Sequence, residues 1–156
     1  MVNRGKLMAL IDLINEKVVK VPLESTMKED VFRELVDLLY NTGDITEPEE
    51  TLDAVLAREL LLSTALENGI AIPHAKTKGV GTLTIALGIS PAGIDADSQD
   101  GKPSHAFFLI LAPPDQSGPH LEAISEIALA TRSSSFRRLL ITSRSPEEVV
   151  ELFQDS

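Results

Sequence analysis

Apolar positions recur along the chain with helical or alternating spacing, and the spacing predicts its elements in order. Residues from about 7 to 14 suggest a short helix. Residues 17–23 (Lys-Val-Val-Lys-Val-Pro-Leu) are β-branched and partly alternating, a strand that Pro22 confines to an edge or an end. Val31, Leu35, Leu38 and Leu39 then share one helical face. Ser25 or Thr26 is the expected cap of that helix, Glu29 or Asp30 lies in its first turn, and Gly43 ends it. A second helix is expected from Thr46-Glu47-Pro48, with Leu52, Val55, Leu56 and Leu60 as its apolar stripe. Ile70-Ala71-Ile72 reads as a short buried strand, 82–90 as the clearest strand, and 91–101 as a polar loop. The near-continuously apolar run 105–111 fits a central strand buried on both faces. Three helices close the chain. One opens at Pro119-His120 and buries Leu121, Ile124, Ile127 and Ala128; one lies around 136–140; the last starts at the capping box Ser145-Pro146-Glu147-Glu148. Helices before and after a few apolar strands predict a layered helix–sheet–helix sandwich of the α/β (α+β) class, one domain over residues 1–156. The pattern leaves strand order open.

Composition narrows the partners. The 156 residues are 43% hydrophobic and 24% charged, ordinary for a globular chain with a real core. A formal net charge of −10 argues against nucleic acid and against an anionic membrane surface, and suits a basic protein partner. With no Cys, neither disulfide nor thiolate chemistry is available. The basic start, Met1 to Lys6, is followed by apolar residues broken by Asp12 and Glu16. That is too interrupted for a signal peptide or a membrane span. A cytoplasmic location without membrane insertion is the expectation.

The stretch Ser63-Thr64-Ala65-Leu66-Glu67-Asn68-Gly69-Ile70-Ala71-Ile72-Pro73-His74 organises the rest. Asn68-Gly69 tolerates positive φ. Pro73 lacks a donor, so the backbone is expected to leave the sheet there, presenting His74 just past a rigid strand end. Taken on spacing alone, His74 is an ordinary boundary histidine. The seven residues Asn68 to His74, however, resemble the phosphorylation-site motif of EIIA domains of the fructose–mannitol class in the bacterial sugar phosphotransferase system. Three further stretches carry the likeness. Arg58-Glu59 is similar to the Arg-Glu pair preceding the family's Ser-Thr turn, here Ser63-Thr64. His120-Leu121, after an apolar strand and a Pro-containing loop, is similar to its second active-site histidine. Asp100-Gly101-Lys102-Pro103 resembles a loop between two of its strands. The likeness runs from about residue 7 to 153.

The resemblance implies a mixed sheet between helical layers and a phosphohistidine carrier. His74 would accept a phosphoryl group from the carrier protein HPr and pass it to an EIIB domain, or hold it as a regulatory mark. The chemistry of the groups agrees. Neutral imidazole is a good nucleophile near pH 7, and protonated phosphohistidine is a good donor. His120 lies in a first helical turn, whose free N–H groups and dipole favour an anion, and would orient the phosphate or steady the His74 ring. Arg58 supplies a permanent charge that can bind phosphate bidentately. Ser63 and Thr64 either bond phosphate or satisfy a helix end.

Other readings compete. The chain also resembles the nitrogen-regulatory subgroup of EIIA proteins, which implies a binding module switched by phosphorylation of His74. A scaffold that has lost transfer is the third reading. His74, His120 and a carboxylate have no compact zinc-ligand spacing, so no metal is expected, and no Walker loop or dinucleotide fingerprint calls for a cofactor. His105 reads as structural, and Lys76 and Lys78 as a solvated rim useful for docking. The chain departs from the family at Ala65 and Glu67, where Gly is frequent; Glu67 is expected to place a negative charge near the phosphate.

Overall fold

The computed structural model describes residues 12–155, so the helix expected over 7–14 lies mostly outside the described residues. Among them, a 3-10 turn at Glu16–Val18 leads to β1 (Val19–Lys20), α1 (Lys28–Asn41) and α2 (Pro48–Leu61). Then come β2 (Ile70–Ala71), β3 (His74–Lys76), β4 (Thr84–Ile94) and β5 (Ser104–Ala112). The helices α3 (Ser117–Ala130), α4 (Ser134–Ile141) and α5 (Pro146–Asp155) complete the order.

β5 is the inner strand that divides the core. Its side chains alternate with period two, so Phe107, Leu109 and Leu111 face α1 and α2, where Phe32, Leu35, Leu39, Leu52 and Val55 cover them. Ala106, Phe108 and Ile110 face the opposite layer, built from Ala123 and Ile127 of α3, Leu140 of α4 and Val149 and Phe153 of α5. A strand buried on both faces must be apolar at nearly every position, which is what the unbroken run in β5 reflects. The sheet is mixed, ordered β1-β4-β5-β2: β4 is antiparallel to β5, whereas β1 on β4 and β2 and β3 on β5 are parallel. The result is the expected helix–sheet–helix sandwich.

Pro73 corrects one expectation with consequences for function. The chain does not leave the sheet there. Ile70 pairs with Ala106 and His74 with Ile110, an offset of 36 residues on both sides of the proline, so β2 and β3 are one edge strand in unbroken register. The Pro73 carbonyl still accepts from Ile110 N–H at 3.0 Å. Proline's missing N–H is tolerated because it falls at a sheet edge.

Smaller corrections have similar causes. α1 has Met27 at its N-cap with no side-chain cap, so neither Ser25 nor Thr26 serves; the Ser25 hydroxyl instead donates to Glu34 at 2.7 Å. β4 continues through Pro91 to Ile94, with irregular register between Ile89 and Ile94, where 91–101 was expected to be a loop. α3 begins at Ser117 rather than at Pro119, and Leu121 faces solvent instead of the core. Leu60 and Leu62, at the end of α2, are 88% and 70% exposed.

One glycine is fixed by space. A Cβ added to Gly88 of β4 would lie 2.5 Å from Leu23 Cδ2 and 2.8 Å from its Cγ. Gly88→Ala therefore overpacks the β1–β4 seam and is expected to lower unfolding stability by about 1–3 kcal/mol. A denaturant midpoint unchanged in the variant would contradict that.

Candidate functional site

The unbroken edge strand explains where the imidazole of His74 sits. Side chains two apart on a strand share a face, so Ile70, Ile72, His74 and Lys76 point toward the α3 layer, while Ala71 and Ala75 pack toward α1 and α2. The outer side of β2 is covered by residues 64–66, which run back antiparallel through an Ala65–Ala71 bridge. β3 lies past that cover, between the end of α2 on one layer and the start of α3 on the other. An open depression of about 500 Å³ results, lined by Arg58, His74, Lys76, Ser117, His120 and Leu121, with Ala54, Ala75 and Ile124 beneath them.

The two histidines meet there edge to face, ring centroids 5.5 Å apart at 64°. His74 Nδ1 lies 2.8 Å from the Ile72 carbonyl. A carbonyl only accepts, so Nδ1 carries the proton and Nε2 keeps its lone pair. His120, buried in the first turn of α3, sets its Nε2 3.4 Å from the Ile110 carbonyl, a long and weak bond. Burial is the first cause that holds the pKa of His74 below the ordinary histidine value; the Ile72 carbonyl and Glu59 oppose it, and the charge of Arg58 adds to it. His120 is lowered too, by burial first, against the Ile110 carbonyl and with His74 and Lys76 assisting. Both rings are thus neutral at pH 7.

The sign gives a test. Because the charged form is disfavoured, the His74 ring resonances are expected to titrate with a midpoint below about 6.5. In Arg58→Gln one of the depressing causes is gone, and the midpoint moves up. A wild-type midpoint above the ordinary value contradicts the described environment.

Arg58 lines the depression from α2, and its guanidinium donates to the Leu62 carbonyl at 2.8 Å, closing the end of its own helix. Ser63 and Thr64 do not line it. The Ser63 hydroxyl donates to the Ala96 carbonyl at 2.9 Å. The Thr64 hydroxyl donates to Glu59 Oε1 at 2.6 Å, and its N–H to Glu59 Oε2 at 3.0 Å. Lys28 completes the arrangement 2.7 Å from Glu59. Burial alone would raise the pKa of Glu59, but bonds from Lys28 and Thr64 outweigh it and hold the carboxylate charged. The Thr64 carbonyl in turn accepts from Ile72 N–H at 3.0 Å, and the Ile72 carbonyl holds His74. A continuous hydrogen-bonded path therefore runs from Lys28 and Glu59 through Thr64 and Ile72 to the ring of His74.

Sequence reasoning missed Lys28, Ser117 and the place of Lys76 in the depression itself. The signal for Lys76 was its position two residues after His74, legible only if β3 is recognised as strand. Glu67, expected near the phosphate, is exposed at the opposite end of the edge strand, seven residues from His74, and the acid acting on His74 is Glu59. His105 Nδ1 donates to the Ser90 carbonyl at 2.9 Å, away from the depression. Among the described residues no His/Cys/Asp/Glu cluster suits a metal ion, and no helix is long and apolar enough to cross a membrane.

Comparison with known proteins identifies the architecture. The family described as the phosphoenolpyruvate-dependent sugar phosphotransferase system, EIIA 2, matches residues 12–156. The chain is 34% identical over 145 residues to the fructose-specific EIIABC component of Bacillus subtilis, 93% of this chain and 23% of that protein. It is 34% identical over 128 residues to the fructose-specific EIIA component of Haloferax volcanii, 82% and 83% of the two chains. The crystal structure of Nitrogen Regulatory Protein IIA-Ntr from Neisseria meningitidis superposes with a TM-score of 0.85 at 30% identity, covering 93% of this chain and 99% of that one. Enzyme IIA for mannitol from Escherichia coli, determined in complex with phosphorylated enzyme IIB, shares the fold at 24% identity and TM-score 0.76, over 90% of this chain and 96% of that one. With a family match over nearly its whole length, this chain belongs to the type 2 EIIA phosphocarriers of the phosphotransferase system.

Proposed function

We propose that the chain, acting as one domain in the cytoplasm, is a stoichiometric phosphohistidine carrier with His74 as its phosphorylated residue. The observation that carries this reading is the His74 ring, pinned by the Ile72 carbonyl so that its unprotonated Nε2 is free beside His120 and Arg58. Nε2 attacks the phosphorus of a phosphohistidine on HPr. The new P–N bond forms as the donor's P–N bond breaks, and that electron pair returns to the donor ring. In passing the group to an EIIB domain, the acceptor's nucleophile bonds to phosphorus as the His74 P–N bond breaks and its electron pair returns to the His74 ring. Little covalent assistance is needed, so positioning and charge dominate. His120, whose Nε2–H is held only loosely, turns it toward a phosphoryl oxygen, and Arg58 neutralises charge from the α2 side. Ser63 and Thr64 act at one remove, by fixing the segment that carries the site. Neither metal nor nucleotide enters the step.

The likeness to a nitrogen regulatory protein favours one second reading, in which phosphorylated and unphosphorylated His74 select different protein partners without sugar transport. Both readings need the same first event. Incubation with phosphoenolpyruvate, enzyme I and HPr is expected to add one acid-labile phosphoryl group, mapped by mass spectrometry to the peptide containing His74. No uptake from an active donor pair contradicts both readings and leaves a scaffold.

A further inference from the structure

We propose that Lys76 is a phosphate-binding residue of the site, parked on Ser117 until His74 is phosphorylated. This rests on the carrier reading and deepens it. Lys76 follows His74 by two residues in β3, so the two side chains leave the same face of the edge strand. Their Cα atoms are roughly 7 Å apart at strand rise, within reach of a four-carbon stem. Both line the one depression, and the Lys76 charge already acts on His120 across it. Among the described residues its ammonium is held by one short contact, Nζ donating to Ser117 Oγ at 2.7 Å. No carboxylate among the described residues lies within ion-pair range of Lys76, whereas Lys28 is engaged by Glu59 and Asp97. A neutral hydroxyl is a weak partner for an ammonium. A phosphoryl group near −2 is a far stronger one, so Lys76 exchanges Ser117 for a phosphoryl oxygen once the group arrives. Arg58 and Lys76 then approach the phosphate from opposite sides of the edge strand.

The equilibrium of phosphoryl exchange with HPr separates this role from docking. The ratio of free phosphorylated to free unphosphorylated forms does not depend on how tightly the two proteins associate. Lys76→Gln is expected to shift that equilibrium about tenfold toward phosphorylated HPr, the size of one partly exposed charge-assisted bond. Lys76→Arg should restore most of it, Ser117→Ala should not lower it, and the Lys76 ammonium resonance should move on phosphorylation. A Lys76→Gln equilibrium equal to wild type, with equal thermal stability, overturns the proposal and leaves the carrier reading intact. A fall in Ser117→Ala matching that of Lys76→Gln would assign the role to the Lys76–Ser117 contact instead, and overturn the parking account. A wild-type chain that accepts no phosphoryl group overturns both readings together.

Discussion

A His74→Ala chain is expected to take up no phosphoryl group from phosphorylated HPr, while His120→Ala is expected still to do so at a rate about 10²–10³ lower. The difference follows from what each ring offers. His74 presents an unprotonated Nε2 at the exposed edge of the sheet, held in place by Ile72. His120 is buried in the first turn of α3 with its Nε2 directed at the Ile110 carbonyl. In the proposed role it orients and donates, and its remaining lone pair, on Nδ1, belongs to a buried ring. Single-turnover transfer assays on the two variants check this. Phosphorylated His74→Ala, or a His120→Ala chain as inert as His74→Ala, would contradict the assignment.

The second large effect is structural. Glu59→Ala is expected to cost about 2–4 kcal/mol, because it leaves Lys28, the Thr64 hydroxyl and the Thr64 N–H without their buried partner. Lys28 retains Asp97 at 3.5 Å, which keeps the loss below that of a fully stranded charge. Since Glu59 titrates below its ordinary value in the folded state, its contribution is complete above the unfolded pKa of about 4.5 and fades as pH falls through the folded one. The variant and wild type should thus converge in stability on acidification. Transfer should slow as well, since Thr64 no longer anchors the carbonyl that fixes Ile72 and, through it, His74. Chemical denaturation at pH 7 and at pH 4 measures the stability loss and single-turnover transfer the slowing; a stability difference that persists undiminished at pH 4 contradicts the ion-pair account.

The residues show why some of this was legible in the sequence. The run in β5 could be read as a doubly covered strand because both faces of an inner strand demand the same apolar chemistry. The helical stripe of α1 was legible for a similar reason, with Val31, Leu35 and Leu39 fully buried. Pro73 and Pro91 were misread. A proline forbids a ladder bond only where its N–H would be used, and that depends on which strand lies at an edge, a property of the whole sheet rather than of its neighbours in sequence. The reading of His74 as a side chain past the end of a strand followed from that error, and with it Lys76 was left on the rim. Leu60, Leu62 and Leu121 look like core by spacing, yet they fall beyond the area that the sheet covers. Arg58 was legible as a cation beside the site, but its bond to Leu62 depends on how α2 ends. The role of Thr64 depended on Glu59 and Lys28, a meeting of α1 with α2 that no local pattern announces, and that of Ser63 on the distant Ala96 carbonyl.

The central claim is that the fold selects one nitrogen of one histidine. Long-range proton–nitrogen NMR of the phosphorylated, nitrogen-15-labelled chain reads this directly. The described tautomer predicts a single phosphohistidine at His74 with phosphorus on Nε2 and the proton retained on Nδ1. Phosphorus on Nδ1 of His74, or on His120 or His105, would contradict it.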